Sequence, residues 1–279
     1  MNQPLLPISP ETLLIPADEA RSVGTSLSEA YRNRQPFPYG CYDNFLESTI
    51  LDGVLKDLNT LSVPESSFDR AQERLKASYS PERLPTHTRS LLYALNSRPM
   101  LTFLESLTGI KGLIPDPYFM GGGIHVVSNG GHLDIHADFN HHVMMNLERR
   151  INVLIYLNKD WKREYGGSFE IWNDDMSECV ESFEPVFNRM CCFNTGSRSW
   201  HGNPEPVNHP DGKPRQSIAL YYYTATWSDT HKPHTTHFQP RPNSNDKPDR
   251  LVARQEFVRD LIPPALYRRI AGKLRHFGL

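Results

Sequence analysis

Two His-x-Asp triplets follow one another in the segment GGHLDIHADFNHH, which spans residues 130–142. The first is His132-Leu-Asp134, and the second is His136-Ala-Asp138. Alternate residues of a β-strand point to the same face, so this spacing allows all four polar side chains to line one surface. Imidazole nitrogens and carboxylate oxygens are common ligands of transition-metal ions. The spacing alone leaves open which triplet binds a metal.

A third ligand must come from a distant strand, and His201 is the best candidate. It lies in SWHGNPEPV, just after a strand-like stretch and next to Gly202, a small residue that leaves room beside a crowded metal. Taken alone, a histidine before a turn is more typical of a solvent-exposed or capping residue. Two histidines and one carboxylate on one face of an octahedral ion leave three positions open. That arrangement suits non-haem Fe(II), which must bind a cosubstrate and dioxygen together.

Arg215 and Ser217 lie in KPRQSIALYYY, at the start of the last long strand-like stretch. An arginine that points into a β-sandwich needs a partner, because an unpaired buried charge is very costly. A dicarboxylate cosubstrate would supply that partner through a bidentate pair, and Ser217, which faces the same way, could add a hydrogen bond. The alternative is that Arg215 pairs with a carboxylate on the protein surface.

Several segments occur in a characteristic order over residues 115–228. They are GHLDIHADF, RRINVLIYLNKDW, GGSFEIW, FEPVFNRMCCFNT, WHGNPEPV and RQSIALYYY. In this order they resemble the Fe(II)/2-oxoglutarate-dependent dioxygenases of the prolyl 4-hydroxylase type. YLNKDW followed by GG, and EPVFNR followed by an aromatic strand, look particularly like the hypoxia-sensing prolyl hydroxylases.

The resemblance implies which triplet binds the metal. Gly131 and the pair Asp138-Phe139 match the register of the family's metal loop. On that match the ligands are His136, Asp138 and His201. The resemblance also implies Fe(II) as the metal, 2-oxoglutarate and dioxygen as cosubstrates, and ascorbate as a candidate reductant.

The resemblance likewise assigns the cosubstrate site. Arg215 would bind the distal carboxylate of 2-oxoglutarate, with Ser217 as a helper. Tyr156 of IYLN matches a family tyrosine that hydrogen-bonds the cosubstrate, although plain core packing is the alternative for this residue. A family tyrosine on the strand before the metal loop has no counterpart, because Val126 or Val127 lies there. This departure weakens the case for a prolyl substrate.

Three further residues are candidates for contact with the substrate. His132 lies upstream of the implied ligands, and at roughly 3.3 Å per residue it is too far from His136 for one ion to hold both triplets. His132 and Asp134 either line the mouth of the site or belong to a polar surface. Asn140 follows the metal loop closely. Trp200 precedes the distal ligand, where it either covers the site or fills the core.

The expected function is hydroxylation of an aliphatic C–H bond, with release of succinate and carbon dioxide. Related halogenases carry a small residue where this chain has Asp138, so the resemblance favours hydroxylation over halogenation. An amino acid or a peptidyl, proline-like residue follows as substrate from the resemblance alone, and a small biosynthetic metabolite stays open beside it. The second hypothesis is a non-catalytic sensor or interaction module that binds metal and 2-oxoglutarate. The third is a cupin-like isomerase or hydrolase that needs no dioxygen.

The elements that must position these residues are mainly strands. INVLIYLN, at residues 151–158, is a nearly continuous apolar run typical of a central strand, and residues 217–227 are aromatic and β-branched. Shorter alternating stretches separated by turn residues favour a double-stranded β-helix, or jelly roll. We therefore expect an α+β fold with a mainly β core, flanked by N-terminal and C-terminal helices.

Helical patterns lie on both sides of that core. Apolar spacing predicts helices over residues 18–34, 47–61 and 89–108, with Pro99 as a break or kink in the last. The expected organisation has three parts. They are a helical support region over residues 1–113, the jelly-roll oxygenase core over 114–228, and a loop with two short helices over 229–279.

The composition is that of an ordinary globular protein, with 38% hydrophobic and 22% charged residues. A net charge of −2 gives no reason to expect nucleic acid or an anionic membrane as a partner. The first residues lack a signal-peptide pattern, and four cysteines are too few for a disulfide scaffold, so a cytoplasmic location is expected. Cys191 and Cys192 are expected to be buried free thiols. Basic pairs such as Arg149-Arg150 are expected to be solvated or structural.

Overall fold

The computed structural model describes residues 3–61, 63–228 and 233–249, which contain four α-helices and thirteen β-strands. The helices are α1 (Ala17–Arg32), α2 (Ser48–Leu58), α3 (Thr86–Leu95) and α4 (Arg98–Thr108). The strands before residue 140 are β1 (Tyr39–Tyr42), β2 (Ser66–Arg70), β3 (Glu73–Tyr79), β4 (Ile114–Pro115) and β5 (Gly123–Ala137). The later strands are β6 (His141–His142), β7 (Leu147–Tyr156), β8 (Phe169–Trp172), β9 (Cys179–Phe183), β10 (Met190–Asn194), β11 (His201–Asn203), β12 (Arg215–Thr224) and β13 (His237–Phe238).

The helices form where the apolar spacing predicts them. The pattern over residues 89–108 is divided into α3 and α4, and Pro99 lies in the first turn of α4. Proline is well tolerated there, because its missing N–H has no intrahelical partner in the first turn. Pro99 therefore marks the start of a new helix. The two helices predicted after residue 249 lie outside the described residues.

The strands form an antiparallel jelly roll, as the sequence predicts. Their order is β1-β10-β7-β12-β5-β11-β8-β9, with the shorter strands paired at the sides. The long strand β5 pairs with β12 through its first half and with β11 through its second half. It therefore connects the start of β12, where Arg215 lies, with the start of β11, where His201 lies.

The hairpin of β2 and β3 is not among the elements that the sequence predicts. Its segments SSFDR and ERLKASY contain few apolar residues, and most side chains of β2 are exposed. Strand β3 nevertheless pairs with β5 along much of its length, from Glu73 opposite Leu133 to Tyr79 opposite Ile124. Backbone pairing with a central strand, and not burial of apolar side chains, places this hairpin beside β5.

The N-terminal helices and the sheet share one continuous apolar core. Leu51 of α2 and Phe103 of α4 belong to the same buried cluster as Ile151 and Val153 of β7. This packing holds one face of the sheet rigidly against the helices. Cys191 and Cys192 are buried free thiols, as expected.

Within the part of the chain that the structure describes, no helix has both the length and the apolar character needed to cross a membrane.

Candidate active site

Three potential metal ligands converge between β5 and β11. Strand β11 pairs with β5 so that His201 lies directly opposite His136, and Asp138 follows the end of β5. The Nε2 atom of His201 lies 3.3 Å from one carboxylate oxygen of Asp138, and that of His136 lies 3.7 Å from the other. One donor atom from each residue lies within 4.8 Å of the others, an arrangement found at no other place in the described residues. The structure thus brings the three predicted ligands together.

Hydrogen bonds to the backbone hold both imidazole rings in the tautomer that a metal needs. The Nδ1–H of His136 donates to the carbonyl of Asp134 at 2.9 Å, and that of His201 donates to the carbonyl of Ser199 at 2.8 Å. Each Nε2 therefore keeps its lone pair toward the other ligands. Burial, together with the nearby His136 ring, lowers the pKa of His201 and so favours its neutral form. Two imidazoles and a carboxylate fit an Fe(II) ion with open positions.

Asp138 is held by a second pair of buried polar side chains. Asn152 donates its amide to Oδ2 of Asp138 at 2.6 Å, and Nη2 of Arg149 lies 3.3 Å from the same oxygen. Arg149 also donates two hydrogen bonds to Oδ1 of Asn152, at 2.9 and 2.7 Å. Burial alone would raise the pKa of Asp138, but the charge of Arg149 and the nearby His201 outweigh it and hold that pKa well below its ordinary value. The carboxylate is therefore ionised and oriented before any metal binds.

Of the two roles expected for Arg149, solvated or structural, the structure shows the structural one, and it places the residue beside Asp138. The residue is 2% exposed and its guanidinium lies 3.6 Å from the ring centre of Tyr221. A register shift between β12 and β7 occurs next to Arg149. Without this bulge, the alternation of β7 would turn Arg150 toward Asn152 and Arg149 away from it. The alternation of residues in the sequence therefore does not predict that Arg149 faces Asn152.

Arg215 lies at the other end of the same chamber. It is buried at the start of β12, where its Nε donates to the carbonyl of Gly167 at 2.7 Å and its Nη2 lies 3.4 Å from the hydroxyl of Tyr156. A Cβ on Gly167 would lie 2.9 Å from the Arg215 side chain, so only glycine leaves this space. Within residues 3–61, 63–228 and 233–249, no carboxylate lies within ion-pair distance of Arg215. The alternative of a surface ion pair is thus excluded for the described residues.

A chamber of about 250 Å³ joins the two ends of the site. It is lined by His136, Asp138, His201, Arg215 and Ser217. The ring of Tyr156 belongs to the neighbouring apolar cluster, and only its hydroxyl lies near Arg215. Its position therefore combines the two alternatives from the sequence, core packing and a hydroxyl available at the cosubstrate site. Burial raises the pKa of Tyr156 well above its ordinary value, so the hydroxyl stays protonated.

The spacing allows both triplets to line one surface, but the structure separates them. The register between β11 and β5 shifts after the pair formed by His201 and His136. This bulge turns Leu133 toward the chamber, whereas His132 and Asp134 line a second cavity of about 590 Å³. Side chains alternate between the two faces of a strand only while its register is uninterrupted. No residue type in the segment predicts the bulge.

Asn140 and Trp200 do not line the chamber. The side chain of Asn140 accepts a hydrogen bond from the backbone of His234 at 2.9 Å and so fastens the metal loop to a later segment. The indole nitrogen of Trp200 is buried without a hydrogen-bond partner among the described residues. These positions give neither residue a direct place beside the three ligands, and the same holds for His132.

Gly202 is required for a reason other than room beside a metal. A Cβ at this position would lie 2.8 Å from the carbonyl oxygens of Asp134 and Leu133, so β11 can approach the bulged β5 only with glycine there. Close approach of the two backbones sets the distance between His201 and His136.

Comparison with known proteins agrees with this geometry. Residues 122–223 match the family model of the 2OG-Fe(II) oxygenase superfamily. A comparison with curated protein sequences gave no significant match.

Solved structures share the fold. A prolyl hydroxylase from Trichoplax adhaerens, in complex with a hypoxia inducible factor oxygen degradation domain peptide fragment, has 17% identity, covers 74% of this chain and 91% of its own, and has a TM-score of 0.53. A prolyl 4-hydroxylase from Phytophthora capsici has 15% identity, covers 75% of this chain and 66% of its own, and has a TM-score of 0.51. At such identities the likeness concerns the fold and not the substrate.

Proposed function

We propose that this chain, whose residues 122–223 match the family model of the 2OG-Fe(II) oxygenase superfamily, hydroxylates an aliphatic C–H bond. The proposed substrate is an amino acid, a peptidyl, proline-like residue or a small biosynthetic metabolite. One observation carries the proposal. The buried charge of Arg215, which has no carboxylate partner among the described residues, lies in the same chamber as the three convergent ligands. A dicarboxylate that reaches from the metal to Arg215 accounts for both features.

In this proposal each end of 2-oxoglutarate has its own partners. His136, Asp138 and His201 would hold Fe(II), which when bound receives the 2-oxo acid and dioxygen and supplies the oxidising chemistry. Arg215 would pair with the distal carboxylate, supported by Ser217 and the hydroxyl of Tyr156. Burial of the chamber strengthens these contacts, because charge interactions weaken when water surrounds them.

The position of Asp138 supports hydroxylation over halogenation. Halide chemistry would need the space that this carboxylate occupies. Hydrogen bonds from Asn152 and the charge of Arg149 hold the carboxylate in place, so it does not turn away to free that space.

The chamber walls near the metal suit a small aliphatic group with polar groups on its flank. The ring of Phe238 lies 5.4 Å from that of His136, and Phe68 and Tyr221 line the chamber beside it. These rings offer contact to an aliphatic carbon chain, while Arg149 borders the same space. A free or peptidyl amino acid has this combination of an aliphatic side chain with polar backbone groups.

The first experiment tests the cosubstrate site without any substrate. 2-Oxoglutarate is added without oxygen to the Fe(II)-loaded protein, and the visible charge-transfer band of a chelated 2-oxo acid is recorded. We expect the band in the parent and in His132→Ala, the matched control from the same strand. We expect none in His136→Ala, and a requirement for about 100-fold more cosubstrate in Arg215→Met, because two charge-assisted hydrogen bonds are lost.

Two outcomes contradict the proposal. If the folded, iron-loaded parent gives no band, the chamber does not receive 2-oxoglutarate. If the band forms but admission of oxygen with amino acids, peptides or metabolites yields no succinate, the non-catalytic sensor becomes the better hypothesis. If the band is lost in His132→Ala and kept in His136→Ala, the metal binds at the first triplet and not at the second.

A further inference from the structure

Asn203, the last residue of β11, carries a buried amide nitrogen that has no hydrogen-bond partner among the described residues. Its side chain lines the chamber, and the residue is 5% exposed. The Nδ2 atom is buried and makes no hydrogen bond to any other described residue. Leaving a buried amide unpaired costs about 1–3 kcal/mol, so such a group calls for an explanation.

Strand register places this amide between the two ends of the site. His201 lies opposite His136, and the next pair along the strands is Asn203 opposite Leu133. Strand β5 then continues back to Val127, which lies opposite Arg215. Asn203 is therefore one layer further from the metal ligands, on the side toward Arg215.

A second connection places Asn203 near the guanidinium itself. The chain continues from Asn203 to Glu205, whose carbonyl accepts a hydrogen bond from the N–H of Gly167 at 3.0 Å. The carbonyl of Gly167 in turn accepts from Nε of Arg215 at 2.7 Å. The end of β11 and the side chain of Arg215 are thus tied to the same residue.

We propose that Asn203 is a positioning residue for the cosubstrate: its amide donates a hydrogen bond to the distal carboxylate of 2-oxoglutarate that Arg215 binds. This inference rests on the proposed function. A carboxylate accepts about four hydrogen bonds. The fork of Arg215 supplies two and the hydroxyl of Ser217, which lines the same chamber, supplies one. The hydroxyl of Tyr156 supports the fork by accepting a hydrogen bond from Nη2 of Arg215. The amide of Asn203 supplies a further donor from the β11 side.

This contact gives the chamber a means to select its 2-oxo acid. A 2-oxo acid that ends in a methyl group would leave Arg215, Ser217 and Asn203 unpaired in a buried site. Sites built from several buried polar groups reject analogues that lack the matching group far more strongly than apolar pockets do. Asn203 therefore adds to the preference for a dicarboxylate over a monocarboxylate of the same length.

Calorimetric titration of the Zn(II)-loaded full chain tests the proposal without turnover. The two probes are 2-oxoglutarate and 2-oxopentanoate, which has a methyl group in place of the distal carboxylate. Asn203→Leu removes the amide at nearly constant volume. We expect it to lower the affinity for 2-oxoglutarate about tenfold, and the affinity for 2-oxopentanoate less than about twofold. Leu133→Val is the matched control from the same layer, and it should change both affinities equally.

A second variant keeps the test decisive if Asn203→Leu folds poorly. Asn203→Asp has the same shape as the parent, and its carboxylate should repel that of 2-oxoglutarate, so we expect a loss larger than tenfold for this probe alone. Unchanged binding of 2-oxoglutarate in both variants, or equal losses for both probes, would overturn the inference. If the parent protein binds no 2-oxoglutarate, the proposed function is overturned as well. The titration of the parent shows this before any variant is compared.

Discussion

Arg149→Met should destabilise the metal-free protein about twice as much as the metal-loaded protein. Arg149 is buried against Tyr221 and lies 3.3 Å from Oδ2 of Asp138. Methionine retains much of the apolar packing but removes the charge. The substitution leaves the buried carboxylate without its cation and leaves Oδ1 of Asn152 without its two donors.

The magnitude follows from these contacts. Breaking a buried ion pair by removing one partner costs about 3–5 kcal/mol. The amide of Asn152 still donates to Asp138, so we expect the lower end, about 3 kcal/mol, for the metal-free protein. A divalent ion on Asp138 compensates the same charge, so the loss should fall to about half when the site is loaded. For a chain of this size, 3 kcal/mol corresponds to a decrease in Tm of roughly 6–12 °C.

Thermal and urea unfolding, each with a chelator and with excess Mn(II), measure this difference. Arg150→Met is the matched control, because its side chain is 31% exposed, lies 3.7 Å from Glu148 and donates a long hydrogen bond of 3.4 Å to the hydroxyl of Thr224. We expect the control to cost less than about 1 kcal/mol in both conditions. Equal losses for Arg149→Met with and without metal would show that its charge does not serve Asp138, and would refute the reasoning.

Three further predictions concern single side chains. Gly202→Ala should cost about 2 kcal/mol in urea unfolding and weaken metal binding in titrations, because its Cβ would lie 2.8 Å from backbone oxygens of β5. Burial raises the pKa of Glu170 despite the hydrogen bond from Trp172, so its ionised form lowers stability at neutral pH. Glu170→Gln should therefore stabilise the protein by on the order of 1 kcal/mol or less at pH 7, and the gain should vanish below about pH 4.3, where both residues are neutral. Tyr31→Phe should cost about 1–2 kcal/mol in the same assay, because its hydroxyl donates to Asn194 at 2.8 Å in the core.

The strands and helices that carry the site were largely predictable from local pattern. The apolar run before Tyr156 predicts a central strand, and β7 is that strand. Pro99 predicts a break, and a new helix begins there. The hairpin of β2 and β3 was not predictable, because it is held by backbone pairing to β5 and its side chains show little apolar periodicity.

The candidate site was predictable in its residue types and only in part in its geometry. His136, Asp138 and His201 were singled out by spacing and resemblance, and the structure brings them together. Their roles as ligands, and that of Arg215, stay predictions until the titrations are made.

The sequence by itself determined which elements form and which residue types supply the chemistry, because strand and helix periodicity and ligand spacing are local properties of the chain. Only the tertiary structure decided which side chains enter the chamber. Two bulges, one beside His136 in β5 and one beside Arg149 in β7, reverse the local alternation of strands. A bulge depends on how two distant strands pair, so the local pattern of residues does not predict it. The bulge in β5 places His132 at another cavity, and the bulge in β7 places Arg149 beside Asp138.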